Sequence, residues 1–209
     1  MEYNLEIKNE FLKIYTQIHK HTCVDTYRCF ILHQFAKHAA NLPEGDVAEI
    51  GVYKGGTAKL IAKTFLEYTS RKHTIHLFDT FTGMPPTHPI KDTHHKEGDF
   101  KDTTLQTITN YLQDCSNIQI YPGFFPQTAK TLQDTKFCFV HIDADIYQSV
   151  MDCCVFFYSK LIPSGILIFD DYGFPTCSGA KLAVNEFFET KKESVIFLAT
   201  GQALIIKQP

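Results

Sequence analysis

Lys136-Phe-Cys-Phe-Val-His-Ile-Asp-Ala-Asp-Ile-Tyr-Gln-Ser149 is the stretch that decides the fold. An apolar run ends at two carboxylates, Asp143 and Asp145, and a helical pattern follows from Ser149 to Lys160. A buried strand, an acidic tip and a covering helix make the repeating unit of a parallel sheet. On the amino-terminal side the unit recurs. Asp46-Val-Ala-Glu-Ile-Gly-Val-Tyr53 reads as a strand before a helix, Thr57 to Tyr68, and His73 to Asp79 as a second strand. A polar loop, Thr80 to Asp99, leads to a helix around Thr104 to Leu112, a third strand at Asn117 to Tyr121 and a short helix near Thr128 to Leu132. On the carboxyl-terminal side Gly165 to Asp170 is a fifth strand, and Ala180 to Thr190 the last long helix. Ser194 to Leu198 and Ala203 to Lys207, parted by Thr200-Gly201, have the spacing of an antiparallel hairpin. The expected fold is α/β: a mostly parallel seven-stranded sheet with helices on both faces.

Residues 1–42 stand apart. Phe11, Ile14, Tyr15 and Ile18, then Phe30, Ile31, Phe35 and Ala39, recur at helical spacing and predict two helices before the sheet. They read as an amino-terminal extension that covers the site or mediates self-association into a homo-oligomer. Residues 43–209 read as one globular unit.

Composition narrows the function. Twenty basic against 23 acidic residues give a formal net charge of -3, with no basic stripe for nucleic acid or an anionic membrane. No apolar run approaches the roughly 18 residues of a membrane span, and Met1 to Glu10 is too polar for a secretory signal. Seven cysteines, an odd number without C-x-x-C spacing, read as reduced thiols of a cytoplasmic protein rather than a disulfide framework.

In an open parallel sheet, ligands bind beyond the carboxyl ends of the strands. There stand Glu49, Asp79, Asp143 with Asp145, and Asp170 with Asp171. One such carboxylate is ordinarily a helix cap; a whole rim of them repels itself unless a cation or ligand offsets the charge. The first junction, Glu49-Ile-Gly-Val-Tyr-Lys-Gly-Gly-Thr57, lacks both the G-K-[ST] ending of a phosphate loop and the G-x-G-x-x-G fingerprint. Its glycines allow close backbone approach. Glu49 suits an ammonium rather than a pyrophosphate, and Asp79 is placed to accept both hydroxyls of a ribose. Together they favour S-adenosylmethionine over a dinucleotide. At the fourth and fifth strand ends the ligands are oxygen-only, which suits a hard cation, Mg2+ first. Such an ion, chelating two neighbouring hydroxyls, points to a vicinal diol as acceptor: a sugar first, a catechol second. His141, beside the acidic cluster, is a candidate acid or base. Tyr147, Tyr172, Phe124 and Phe174 flank the motifs as stacking candidates. His88, His94 and His95 in the proline-bearing loop read either as a zinc site or, on the better reading, as a solvated lid.

At these residues the chain resembles the macrocin O-methyltransferase family, a branch of the Rossmann-like class I S-adenosylmethionine-dependent methyltransferases. The resemblance spans Asp46 to Phe188. It rests on the Glu49 to Thr57 turn, Leu77-Phe-Asp-Thr-Phe-Thr-Gly-Met-Pro85, Glu97-Gly-Asp-Phe100, Pro122-Gly-Phe-Phe-Pro126, His141 to Ser149, and Asp170-Asp-Tyr-Gly173. It implies methylation of a sugar hydroxyl with bound Mg2+. By motif, Asp143, Asp170 and Asp171 would hold the metal, Asp145 would be the general base, and Glu49 and Gly51 would line the methionine end of the cofactor. Asp79 would bind the ribose. Tyr53, Gly55, Thr57, Thr80, Asp99, Phe100, Gly123, Phe124 and Asp143 complete the expected cofactor set, and Gly83 to Lys96 a mobile lid. Two alternatives stand beside this: a catechol-type methyltransferase on the same scaffold, and a silent methyltransferase-like binding module. The chain is shorter than many family members at its amino-terminal side and in the lid, so a more open acceptor pocket is expected.

Overall fold

The structure, a computed structural model, describes residues 9–209, so most of the polar Met1 to Glu10 stretch lies outside the described residues. The chain runs α1 (Asn9–Ile18), α2 (Thr26–Ala39), β1 (Asp46–Ile50), α3 (Gly56–Tyr68), β2 (Ile75–Asp79), α4 (Leu105–Tyr111), β3 (Ile118–Pro122), β4 (Phe137–Ile142), α5 (Tyr147–Phe157), β5 (Leu161–Phe169), α6 (Ser178–Phe188), β6 (Ile196–Phe197) and β7 (Ala203–Ile206). The strands form one seven-stranded sheet in the order β3-β2-β1-β4-β5-β7-β6. The first five are parallel; β7 pairs antiparallel with β5, and β6 with β7.

Side chains alternate across a strand, and the two faces bury different helices. Val47, Ile75, Leu77, Phe139, Ile166, Ile168 and Leu204 pack beneath α1, α2 and α3. Ala48, Phe78, Val140, Ile142, Leu167, Phe169 and Ile205 pack beneath α5 and α6. Burying each such branched or aromatic side chain contributes roughly 1.5–3 kcal/mol. By the same alternation Glu49, His141 and Asp170 fall on the α2–α3 side, an inward course with consequences at the site.

Three details differ from the sequence reading in kind or extent. β5 begins at Leu161, ahead of the predicted Gly165, because the strand continues through Pro163 and Ser164 with a register shift opposite Phe137–Phe139. The segment predicted as a short helix near Thr128 is a 3-10 turn, Gln127–Leu132. On α2 the inward residues are Cys29, Phe30, Leu32, His33, Ala36 and Ala39, with Phe35 only partly buried. The predicted periodicity placed Ile31 on the wrong flank, since the helix begins at Thr26, capped by the Asp25 side chain.

Connectivity reverses at one place. β1 is flanked by β2 and by β4, so the chain builds outward to β3 and then returns to the other side of β1. The crevice at such a switch point is where open α/β sheets bind ligands. Among the described residues no helix is long and apolar enough to cross a membrane. All seven cysteines are free thiols; Cys23 is exposed and the others are buried.

Candidate active site

A cavity of about 310 Å³ opens at the β1/β4 switch point. Its floor is the glycine turn after β1. Gly51 has φ +87, and a Cβ there would stand 1.7 Å from the Asp143 carbonyl oxygen. Only glycine lets the tips of β1 and β4 approach so closely. Asp79, at the tip of β2, holds the turn. Its Oδ2 accepts the N–H groups of Val52 and Tyr53 at 2.9 and 2.8 Å, and its Oδ1 that of Phe81 at 2.7 Å. Tyr53 thereby keeps a positive φ of 47.

Most of the expected residues meet on this cavity. Gly51, Tyr53, Thr57, Asp79, Thr80, Phe100, Gly123, Phe124, Asp143, Asp145, Asp170 and Asp171 all line it. Glu49, Gly55, Asp99 and His141 do not. Gly55 lies behind the turn as the cap of α3, facing Tyr111. The Asp99 carboxylate turns back into its own loop, where it accepts the Lys96 N–H at 2.9 Å. Glu49 and His141 are 0% exposed, because alternation along β1 and β4 sends them under the sheet's α2–α3 face. Of the aromatic candidates, Phe124 and Phe174 line the cavity. Tyr147 and Tyr172 donate to Glu186 and Asn185 of α6 instead.

Beneath the cavity runs a buried chain of charge. Strand register sets Glu49 beside His141. His141 Nδ1 stands 2.8 Å from Glu49 Oε1, and its Nε2 3.4 Å from Asp170 Oδ1. Burial alone would push the imidazolium down; the hydrogen bonds and charges of Asp170 and Glu49 outweigh it and lift His141 to about 9. His141 thus stands between two carboxylates beneath the cavity and does not face it. Among the described residues Glu49 Oε2 has no hydrogen-bond partner.

Asp170 is the most engaged carboxylate. Gln202 Nε2 donates to its Oδ1 at 2.7 Å, and Arg28 Nη1 pairs with its Oδ2. The β5–β7 register, Phe169 opposite Ala203, brings Gln202 alongside. Asp25, which caps α2, also accepts from Arg28 Nε at 2.8 Å, and the guanidinium lies over Phe174 at 4.6 Å. Burial would raise the Asp170 carboxyl, but His141, Arg28 and Gln202 hold it below the usual range. The sequence reading missed Arg28 and Gln202. A signal existed: Arg28 and Arg71 are the chain's two arginines, and arginine is the residue suited to buried carboxylate pairing.

Asp143 and Asp171 behave oppositely. Burial, then repulsion from neighbouring carboxylates, pushes both well above the normal range. Asp145 is raised too, by burial first, with the nearby His95 acting against it. Asp145 sits at φ +55, and its N–H donates to Asp171 Oδ2 at 3.1 Å. A non-glycine residue held in that strained region marks a pre-arranged side chain.

Two further segments close the cavity. His21, Thr22, Cys23, Val24 and Arg28 bring the α1–α2 connection to its wall, so the leading helices cover the site. The loop expected as a lid is anchored by Asp92. Its Oδ2 accepts the His88 N–H at 2.8 Å, and its Oδ1 the Tyr147 N–H at 2.8 Å. The three loop histidines do not form a site among themselves. His88 Nδ1 accepts backbone N–H groups of its own turn, and His95 points inward to Asp145 and Cys177.

Comparison with known proteins agrees with this geometry. Residues 19–195 match the model of the family described as Macrocin-O-methyltransferase (TylF). Mycinamicin III 3''-O-methyltransferase of Micromonospora griseorubida is 30% identical over 155 residues, 68% of this chain and 60% of that protein. A Streptomyces olivaceus enzyme, 8-demethyl-8-(2,3-dimethoxy-alpha-L-rhamnosyl)-tetracenomycin-C 4'-O-methyltransferase, is 25% identical over 148 residues, 65% of this chain and 56% of that protein. The chain thus spans less than two thirds of the length of these relatives. The structure of the O-methyltransferase NovP superposes with a TM-score of 0.77 at 22% identity, covering 90% of this chain and 83% of that one. The O-methyltransferase from Bacillus cereus in complex with SAH gives 0.63 at 12% identity, covering 98% and 94%. Matched over residues 19–195, which carry the five parallel strands and the cavity at their switch point, this chain belongs to the Macrocin-O-methyltransferase (TylF) family.

Proposed function

We propose that the chain transfers a methyl group from S-adenosylmethionine to a sugar hydroxyl, with Mg2+ held at the tips of β4 and β5. The observation that carries the reading is the convergence of Asp143, Asp145 and Asp171 on one cavity beside the Gly51 turn. Family membership and a rhamnosyl-methylating relative support the chemistry.

Two features of the protein suit the two absent groups. Glu49 Oε2, buried beneath the glycine turn and without a hydrogen-bond partner among the described residues, would be the acceptor for a donor such as the ammonium of a methionine end that reaches past the turn. Asp79 would add ribose hydroxyls to the N–H groups it already accepts. For the ion, the all-oxygen donor set suits a hard divalent cation. Burial and mutual repulsion of the rim carboxylates raise Asp143 and Asp171, a crowding of acidic groups that a divalent cation would relieve. Those two residues would hold it most directly. Asp170, already accepting from Arg28 and Gln202 and close to His141, retains little free capacity and chiefly fixes the geometry. The chemistry Mg2+ supplies when bound is polarisation of a hydroxyl and lowering of its pKa.

The remaining work falls to side chains. Asp145, fixed at its strained φ by Asp171, would accept the hydroxyl proton as general base, a role contributing roughly 10²–10⁴-fold. Phe124 and Phe174 offer flat apolar walls to a sugar face. Holding donor and acceptor in line contributes up to about 7–11 kcal/mol in favourable cases. Residues 43–209 would form the catalytic unit, with the helices of residues 9–39 as its cover.

The test has two stages: calorimetric binding of S-adenosylmethionine, then turnover of a glycoside panel and a catechol panel with and without EDTA. Tight cofactor binding with glycoside methylation lost in EDTA is expected. Metal-independent turnover would remove the Mg2+ assignment, and catechol turnover alone the sugar assignment.

A further inference from the structure

We infer that His95, Asp145 and Cys177 form a second cation site, for a borderline-soft ion of the Zn2+ class, which ties the 80–99 loop to the rim of the cavity. Three separate segments supply it: His95 from the loop, Asp145 from the β4–α5 junction and Cys177 from the cap of α6. All three line the cavity. The site is distinct in chemistry from the oxygen-only rim, because nitrogen and sulfur donors select Zn2+ over Mg2+.

The geometry is that of a coordination face. Cys177 Sγ lies 3.5 Å from His95 Nε2 and 3.5 Å from Asp145 Oδ1, and His95 Nε2 lies 3.6 Å from Asp145 Oδ1. Tetrahedral Zn2+ at ordinary ligand distances sets nitrogen–oxygen edges of about 3.4 Å and edges to sulfur of about 3.6 Å. An ion can therefore enter with only small shifts of its ligands. The other histidine nitrogen has a partner as well: His95 Nδ1 stands 3.5 Å from Asp99 Oδ2. A carboxylate behind a ligating imidazole fixes the ring and raises its basicity. Three protein ligands leave the fourth position open toward the cavity. On binding, the Cys177 S–H bond breaks, the thiolate sulfur takes the ion and the proton passes to solvent. The charge of one thiolate and one carboxylate then matches that of the cation. The loop is already drawn to this corner: Ser178 Oγ donates to the Lys91 carbonyl at 3.1 Å, and Asp92 caps α5.

The consequence for activity rests on the reading above. Asp145 Oδ1 taken by the ion is withdrawn from the acceptor proton, so a loaded site switches methyl transfer off. Binding itself needs no such assumption, and the test separates the two. Co2+ is titrated into protein carrying Cys23→Ser, which removes the exposed thiol, and its absorption is followed. One tetrahedral Co2+ per chain with a thiolate charge-transfer band is expected. Cys177→Ser abolishes that band, His95→Ala weakens binding at least tenfold, Asp170→Asn leaves the band in place, and Zn2+ bleaches it. A missing band, a band surviving Cys177→Ser, or unchanged affinity in His95→Ala overturns the site. Should Cys177→Ser fail to fold, slowing of Cys177 alkylation by Zn2+ but not Mg2+ in the Cys23→Ser protein, read by mass spectrometry, decides the same question. Protection by neither ion refutes it. Turnover unchanged by Zn2+ in a chain that shows the band would instead count against Asp145 as the base.

Discussion

Replacing Arg28 by Met keeps the apolar stem and deletes the guanidinium that pairs with Asp170. Asp170 is 0% exposed, whereas the Arg28 side chain keeps 13%. Breaking a buried pair at one end costs about 3–5 kcal/mol, since the remaining charge is left without compensation. Here the stranded carboxylate keeps Gln202 at 2.7 Å and the His141 imidazolium at 3.4 Å, which moves the expectation to the low end. The contact with Asp25, on a half-exposed carboxylate, adds a few tenths of a kcal/mol. The stacking on Phe174 adds about 0.5–1 kcal/mol. The sum is about 4 kcal/mol, or about 8–16 °C in Tm for a chain of this length. The assay is urea denaturation in EDTA, followed by fluorescence and circular dichroism, on Arg28→Met, Asp170→Asn and the double variant. A coupling energy of at least about 1.5 kcal/mol is expected for two groups in direct buried contact. Asp25→Ala, which removes the helix cap and one side of the guanidinium clamp, should cost only about 1 kcal/mol. A loss below about 0.5 kcal/mol in Arg28→Met, or additive single variants, would refute the claim that α2 is locked to the sheet through this pair.

Gly51→Ala places a Cβ 1.7 Å from the Asp143 carbonyl at φ +87. It should cost more than about 2 kcal/mol by the same denaturation assay, and a near-neutral result would show that the β1–β4 tips can part freely. Asp143→Asn should abolish EDTA-sensitive turnover while S-adenosylmethionine affinity by calorimetry stays within about fivefold; a collapse of cofactor binding would show that Asp143 serves the cofactor rather than the metal. Glu193, held by Tyr158, Lys207 and the Gln208 N–H, titrates at about 2 against an ordinary 4.5 despite its burial. A depressed carboxyl stabilises the fold above its unfolded pKa, and that stability is lost as pH falls from 4.5 toward 2. Glu193→Gln should therefore lower Tm at pH 7 and converge on the parent only near pH 2; a constant gap would contradict the assignment.

Much of the architecture was written in local pattern. Short apolar runs ending in Asp or Glu, each followed by helical spacing, specify a parallel sheet, because only covering helices on both faces can bury such strands. The carboxylate rim at Asp79, Asp143, Asp145, Asp170 and Asp171 was legible for the same reason, since strand tips in this topology share one edge. Glu49 and His141 stand in those motifs yet sit beneath the cavity, because period-two alternation turned them toward α2 and α3. That course could have been counted from Val47 and Phe139. That Asp99 and Gly55 stand off the cavity wall could not be read from sequence, because a loop and a turn carry no period from which direction follows.

The amino-acid order alone thus determined the layers, the strand sequence and which edge would be acidic, since these follow from hydrophobic periodicity and the chemistry of turns. Only the tertiary structure decided which charges are balanced. Arg28 meets Asp170 across 142 positions of chain, Gln202 arrives through the register of an antiparallel strand, and His95 meets Cys177 across 82. Electrostatic pairing depends on distance in space and on the removal of water, and neither quantity exists until the helices have closed over the sheet.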